Sequence, residues 1–81
     1  MRDENDILGI RRMSLLRMNK DNIENLIEEM LDKRVRSYEY FNYFIIDDYI
    51  IVVKIYDEND KLLFTVKATL YGNKLQIVEV S

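Results

Sequence analysis

The chain has 81 residues, of which 48% are hydrophobic and 33% are charged, with a formal net charge of −3 and neither cysteine nor histidine. This length suits one domain that buries only about 60–65% of its unfolded surface, so a partner subunit would add to its stability. The composition excludes a disulfide framework and a thiolate or histidine metal site, and leaves carboxylate, tyrosine and lysine side chains for any catalysis.

The N-terminal part of the sequence carries weak structural signals. Residues 1–6 are polar and predict a flexible tail, followed by a single domain over residues 7–81. From Ile7 to Met18 neither helical spacing nor strand alternation fits well. Gly9 and the missing apolar stripe favour a strand or extended arm, and an irregular short helix is the alternative. No apolar stretch is long enough to span a membrane and the start is acidic, so we expect a cytoplasmic protein.

An amphipathic helix is predicted from Asn22 to about Arg34. Its apolar residues recur with the i, i+3, i+4, i+7, i+8 spacing of one helix face, and they are Ile23, Leu26, Ile27, Met30 and Leu31. Asp21 is the predicted N-cap, and Glu24 follows three residues later as in a capping box. The helix should therefore cover one face of a sheet.

Four antiparallel strands are predicted between Tyr38 and Val80, joined by three turns. Gly72-Asn73 is typical of a type II′ hairpin turn, and the acidic segments 57–60 and 47–48 are predicted to form the other two turns. The pairs that follow are Leu70 with Leu75, Ala68 with Ile77, Ile55 with Leu62, Val53 with Phe64, Ile51 with Val66, Ile46 with Tyr49, Phe44 with Ile51 and Tyr40 with Ile55. The registers predicted from the three turns are consistent with one another, because each places the same residues on the same face of the sheet.

The predicted sheet has two unequal faces. The inner face is expected to hold Tyr38, Tyr40, Phe44, Ile46, Tyr49, Ile51, Val53, Ile55, Leu62, Phe64, Val66, Ala68, Leu70, Leu75 and Ile77. Asn42 is a polar misfit there and suggests a bulge or an edge position. The outer face keeps an apolar cluster of several hundred Å², a size typical of a binding surface. The predicted protein interface consists of Phe41, Tyr43, Ile45, Ile50, Val52 and Tyr56.

The order of a possible first strand, one helix and then four antiparallel strands is similar to that of a cystatin-like roll, in which a sheet wraps one helix. The resemblance implies an α+β fold with one amphipathic helix packed on a four-stranded meander. The sequence has none of the inhibitory motifs of cystatins, so the resemblance implies nothing about function.

We expect a small non-enzymatic protein–protein interaction module, a homodimer that uses the outer sheet face or an unpaired edge. The carboxylates are typical of turns, so no catalytic, cofactor or metal site is predicted. Scarce Ala, Gly and Pro indicate an AT-rich coding sequence, and we expect an accessory protein of a phage, virus or mobile element. The alternative is a nucleic-acid-binding protein whose segment 11–20 contacts phosphates through Arg11, Arg12, Arg17 and Lys20.

Overall fold

The computed structural model describes residues 14–32 and 38–81, and within these ranges one α-helix packs on a four-stranded antiparallel sheet. The elements in chain order are a 3-10 turn at Leu15–Arg17, helix α1 at Lys20–Asp32, and strands β1 at Tyr40–Ile45, β2 at Ile50–Tyr56, β3 at Leu62–Tyr71 and β4 at Lys74–Val80. The strand order is β1-β2-β3-β4, so the predicted α+β meander is confirmed. The predicted tail and the rest of segment 1–13 lie outside the described residues.

Helix α1 covers the inner face of the sheet with the predicted apolar stripe. Four of the five stripe residues are buried, and they are Ile23, Ile27, Met30 and Leu31. The helix begins at Lys20, and its cap is Asn19 rather than the predicted Asp21. The Asn19 Oδ1 accepts a hydrogen bond from the backbone N–H of Asn22 at 2.8 Å, which satisfies one of the free amides of the first turn. The predicted helix end at residues 33–34 lies outside the described residues.

The segment before α1 closes one end of the core. Leu15 is 0% exposed, and its backbone N–H donates to the Asp48 carbonyl at 2.7 Å. The Ser14 hydroxyl donates to Asp48 Oδ1 at 2.6 Å and accepts from the Leu16 N–H at 3.2 Å. The preferred prediction of a strand is wrong for these residues, which form the irregular short helix of the alternative.

The β3–β4 hairpin has the predicted register near its turn. Leu70 pairs with Leu75 and Ala68 with Ile77. Gly72 has a φ of +67°, and Asn73 is not among the residues with positive φ, as a type II′ turn requires. Farther from the turn the register shifts, so Lys67 pairs with Glu79 and Val78 is the extra residue. This bulge was not predicted.

The β2–β3 register differs from the prediction by two residues. Ile55 pairs with Phe64 and Val53 with Val66, where the turn at residues 57–60 predicted Leu62 and Phe64 as the partners. The turn accounts for one residue of this difference, since the Asp57 N–H bonds the Lys61 carbonyl at 3.0 Å, and the bulge at the start of β3 accounts for the other. A shift of two keeps the same residues on each face, so most of the inner-face prediction holds for these strands. Leu62 is the exception, since it pairs with the outward-facing Tyr56 and is 45% exposed.

The β1–β2 register differs from the prediction by one residue, which inverts β1. Ile45 pairs with Ile51 and Tyr43 with Val53, so these β1 residues share the inner face. The reason is the turn, which is not the predicted two-residue Asp47-Asp48 turn. Asp47 Oδ1 accepts both the Tyr49 and the Ile50 N–H at 2.9 Å, and the turn therefore spans three residues, closed by the Ile46 N–H on the Ile50 carbonyl at 2.8 Å.

The inversion corrects the predicted faces at the start of the sheet. Three residues predicted to face outward pack against the core instead, and they are Phe41, Tyr43 and Ile45. The residues predicted to face inward at Phe44, Ile46 and Tyr49 are exposed by 50%, 60% and 39%. Asn42 then points outward and is exposed, so the polar misfit disappears.

Candidate functional site

The outer face of the sheet carries an apolar cluster beside its first strand, and we call it the outer apolar patch. It consists of Phe44 near the end of β1, Ile46 directly after β1, and Ile50 and Val52 at the start of β2. Phe44 pairs with Val52, and the Ile46 N–H bonds the Ile50 carbonyl, so the four side chains are cross-strand neighbours on one face. Ile50 and Val52 are half-buried, whereas Phe44 and Ile46 are exposed.

The structure divides the predicted interface residues between two faces. Ile50, Val52 and Tyr56 lie on the outer face as expected, whereas the other three lie on the inner face. Sequence reasoning missed Phe44 and Ile46, which take the outward positions on β1. The signal that could have found them was Asn42, because a polar residue on a predicted apolar face is what an inverted strand produces.

In the part of the chain that the structure describes, the remaining side of β1 is an open edge. Among the described residues, β2 is the only strand that pairs with β1. On its inner side, the Tyr38 and Phe41 rings pack at a centroid distance of 6.3 Å. Burial raises the pKa of the Tyr38 phenol, and the nearby carboxylates of Asp32 and Glu28 raise it further. A shallow depression follows this edge and is lined from both faces of the strand, by Phe41 and Tyr43 as well as by Phe44.

A pair of stacked tyrosines stands at the other end of β1. The Tyr40 and Tyr56 rings are 4.9 Å apart with an angle of 7° between their planes. The Tyr40 hydroxyl donates to Asp60 Oδ1 at 2.8 Å, and this hydrogen bond to a carboxylate raises the pKa of the Tyr40 phenol. Each ring covers one face of the other, so the stacking leaves only the outer face of each ring uncovered by its partner.

The predicted nucleic-acid contacts are only partly within the described residues. Arg11 and Arg12 lie outside them, Arg17 is exposed in the 3-10 turn, and Lys20 pairs with Glu24 on α1 at 3.4 Å. The Phe44 ring has the Lys54 ammonium 5.3 Å from its centroid. Nucleic-acid binding through segment 11–20 stays a prediction, because two of its four basic residues lie outside the described residues.

Two other kinds of feature, a metal-binding cluster and a membrane-spanning helix, are not found among the described residues. In residues 14–32 and 38–81, no three carboxylate side chains come together in a way that could hold a metal ion. No helix in this part of the chain has the length and apolar character needed to cross a membrane.

No family model, curated protein or solved structure matches the chain. The function is therefore inferred from the residues on the β1 side of the sheet.

Proposed function

We propose that the protein is a non-enzymatic interaction module that forms a homodimer through the β1 side of its sheet. This surface comprises the open edge of β1 and the outer apolar patch beside it. The chain offers neither histidine nor cysteine for catalysis, whereas it offers a contiguous apolar surface for binding.

The observation that carries the proposal is the exposure of two large apolar side chains on the strand that has an open edge. Phe44 is 50% exposed and Ile46 is 60% exposed. Both lie next to the half-buried Ile50 and Val52, which continue the apolar surface from the β1 side onto β2. Apolar and aromatic side chains clustered in this way are typical of the centre of an interface.

Sedimentation equilibrium of the wild type and of Phe44→Lys tests this proposal. Burying the exposed half of a phenylalanine contributes about 1 kcal/mol. A symmetric dimer buries the side chain twice, so the substitution costs about 2 kcal/mol and weakens the dimer about 30-fold. The matched control is Gln76→Lys, which adds the same charge to an exposed position on the far strand β4 and should leave the dimer unchanged.

Two results would contradict the proposal. One is a wild-type protein that remains monomeric at about 1 mM, since a specific dimer of even a small interface forms below that concentration. The other is an equal effect of Phe44→Lys and Gln76→Lys, which would place the contact on the whole outer face or on β4 rather than on the β1 side.

A further inference from the structure

The backbone of β1 directs half of its hydrogen-bonding groups away from the sheet. The Ile46 N–H bonds the Ile50 carbonyl, so the even-numbered residues of β1 face β2 with their backbone groups. The alternation of an antiparallel ladder then leaves the N–H and C=O groups of Phe41, Tyr43 and Ile45 at the open edge. Three donors and three acceptors lie there in a row.

The two edge strands of the sheet differ in how they are protected. The β4 edge carries Lys74 and Glu79, and the bulge at Val78 interrupts its pairing with β3. Charges and bulges are the usual means of preventing an edge from pairing with another chain. Strand β1 has the sequence YFNYFI, with no charge, no proline and no shift in its register with β2. Of the two edges formed by the described strands, β1 is the one suited to accept another strand.

We propose that β1 pairs antiparallel with β1 of a second copy, about a two-fold axis at Tyr43, to form a continuous eight-stranded sheet. This inference rests on the proposed homodimer and specifies its symmetry and register. With the axis at Tyr43, all three edge residues of each copy exchange their backbone bonds, which gives six hydrogen bonds. An axis at Asn42 or at Phe44 would leave one edge residue of each copy beyond the end of the opposing strand.

The side chains of β1 are complementary to themselves in this register. On the inner face Phe41 lies opposite the partner's Ile45, and Tyr43 lies opposite its own counterpart. On the outer face Phe44 lies opposite the partner's Asn42. Aromatic side chains opposite aromatic or β-branched ones are favourable cross-strand pairs, and no charged residue of one strand opposes a charge of the other. This self-complementarity favours a second copy over an unrelated strand as the occupant.

The interface is small, which sets the expected affinity. A six-residue strand is about 20 Å long, so the contact falls at the low end of the size range of specific interfaces. We therefore expect a weak dimer, with a fraction of dimer that changes over an accessible range of concentration.

Disulfide cross-linking tests the register directly, because the chain contains no cysteine. Asn42→Cys and Phe44→Cys are each made alone, since both positions are exposed on the outer face. In the proposed register, residue 42 lies about 4.5 Å from residue 44 of the partner between Cα atoms, within disulfide range. Residue 42 of one copy and residue 42 of the other are offset by two residues along the strands, and so are the two residues 44. Their Cα atoms are therefore about 8 Å apart, beyond disulfide range. Oxidation of the mixed variants should give at least about 10-fold more cross-linked dimer than either alone.

A second pair of variants tests the same register in case the first substitutions themselves weaken the dimer. A control pair tests whether cross-linking needs opposed positions. Tyr40→Cys mixed with Ile46→Cys also places two opposed cysteines on the outer face and leaves Phe44 intact, so it should cross-link in the same way. Asn42→Cys mixed with Gln76→Cys should not cross-link, because position 76 lies on the far strand.

The outcomes separate failure of the register from failure of the homodimer. Cross-linking of Asn42→Cys alone or of Phe44→Cys alone would move the axis to that residue and overturn the proposed register. A wild-type dimer in sedimentation, with no cross-link in either mixed pair, would overturn pairing through β1 and leave the homodimer standing. A monomer at about 1 mM would overturn both.

Discussion

Leu15 is the fully buried side chain by which the described residues before α1 are expected to stabilise the fold, and its truncation to alanine tests this. The side chain is 0% exposed and belongs to the same core cluster as the α1 stripe and the inner face of the sheet. Its neighbour Leu16 is 62% exposed in the same 3-10 turn. The two residues have the same side chain and adjacent positions, so Leu16→Ala is a matched control.

The expected cost of Leu15→Ala follows from its complete burial. Removing a buried leucine side chain beyond Cβ costs the transfer free energy of three carbons and leaves a cavity, which together amount to about 3 kcal/mol. A domain of 81 residues has a free energy of unfolding of about 4–12 kcal/mol, so a quarter or more of it is lost. The midpoint of thermal unfolding should fall by about 12–24 °C. Leu16→Ala should change the free energy of unfolding by less than about 0.5 kcal/mol.

Urea unfolding followed by far-ultraviolet circular dichroism measures both variants, at a fixed protein concentration because a dimer would also contribute to stability. The reasoning is refuted if the two variants differ by less than about 0.5 kcal/mol, since Leu15 would then contribute no more than a surface leucine.

Two further predictions concern turns of the sheet. Gly72→Ala should lower the free energy of unfolding by about 1–2 kcal/mol in urea titrations, because a φ of +67° strains any residue that has a side chain. Nothing lies within 4 Å of the added Cβ, so the cost comes from the backbone conformation and not from a clash. An unchanged midpoint of urea unfolding would contradict the turn geometry. Asp60→Gly should lower the pKa of the Tyr40 phenol, followed by NMR titration of the ring carbons, whereas Glu58→Gln should not. Because folding raises this pKa, its stabilising contribution is present below the pKa of the unfolded chain and is lost as pH rises through the folded value. An unmoved Tyr40 pKa in Asp60→Gly would contradict the hydrogen bond as its cause.

The features predicted well from the sequence depend on local signals. The α1 stripe repeats at helical spacing around Ile27, and Gly72 is the residue that a type II′ turn requires. The cap was misplaced because both Asn19 and Asp21 are good N-caps, and the sequence does not show which oxygen reaches the free N–H of Asn22.

The face of β1 was predicted wrongly because it depended on one side-chain contact. A two-residue turn and a three-residue turn at Asp47 differ only in whether its carboxylate accepts the N–H groups of Tyr49 and Ile50. A change of one residue in the length of the turn exchanges the two faces of the strand. The error in the turn therefore put every residue of β1 on the wrong face. The register of β2 with β3 was also wrong, but by two residues, which left the faces of those strands largely correct.

The predicted interface and the outer apolar patch therefore share their β2 residues and differ in their β1 residues. Strand β2 contributed Ile50 and Val52 as expected, because its parity was correct. Strand β1 contributes Phe44 and Ile46, because the inversion turns Phe41 and Tyr43 towards the core. Both faces of β1 are apolar, so the hydrophobic pattern did not show that the strand had been assigned to the wrong faces. Asn42 was the residue that distinguished the two faces.

The most direct test of the proposed self-association is the amide hydrogen exchange of Tyr43 as a function of protein concentration. This N–H lies at the open edge in the monomer and bonds the partner in the dimer, so its exchange should be at least about 10-fold slower at 1 mM than at about 1 µM. The Val53 N–H faces β3 in the β2–β3 ladder and should be protected at both concentrations. A Tyr43 exchange rate that does not depend on concentration would contradict pairing through β1.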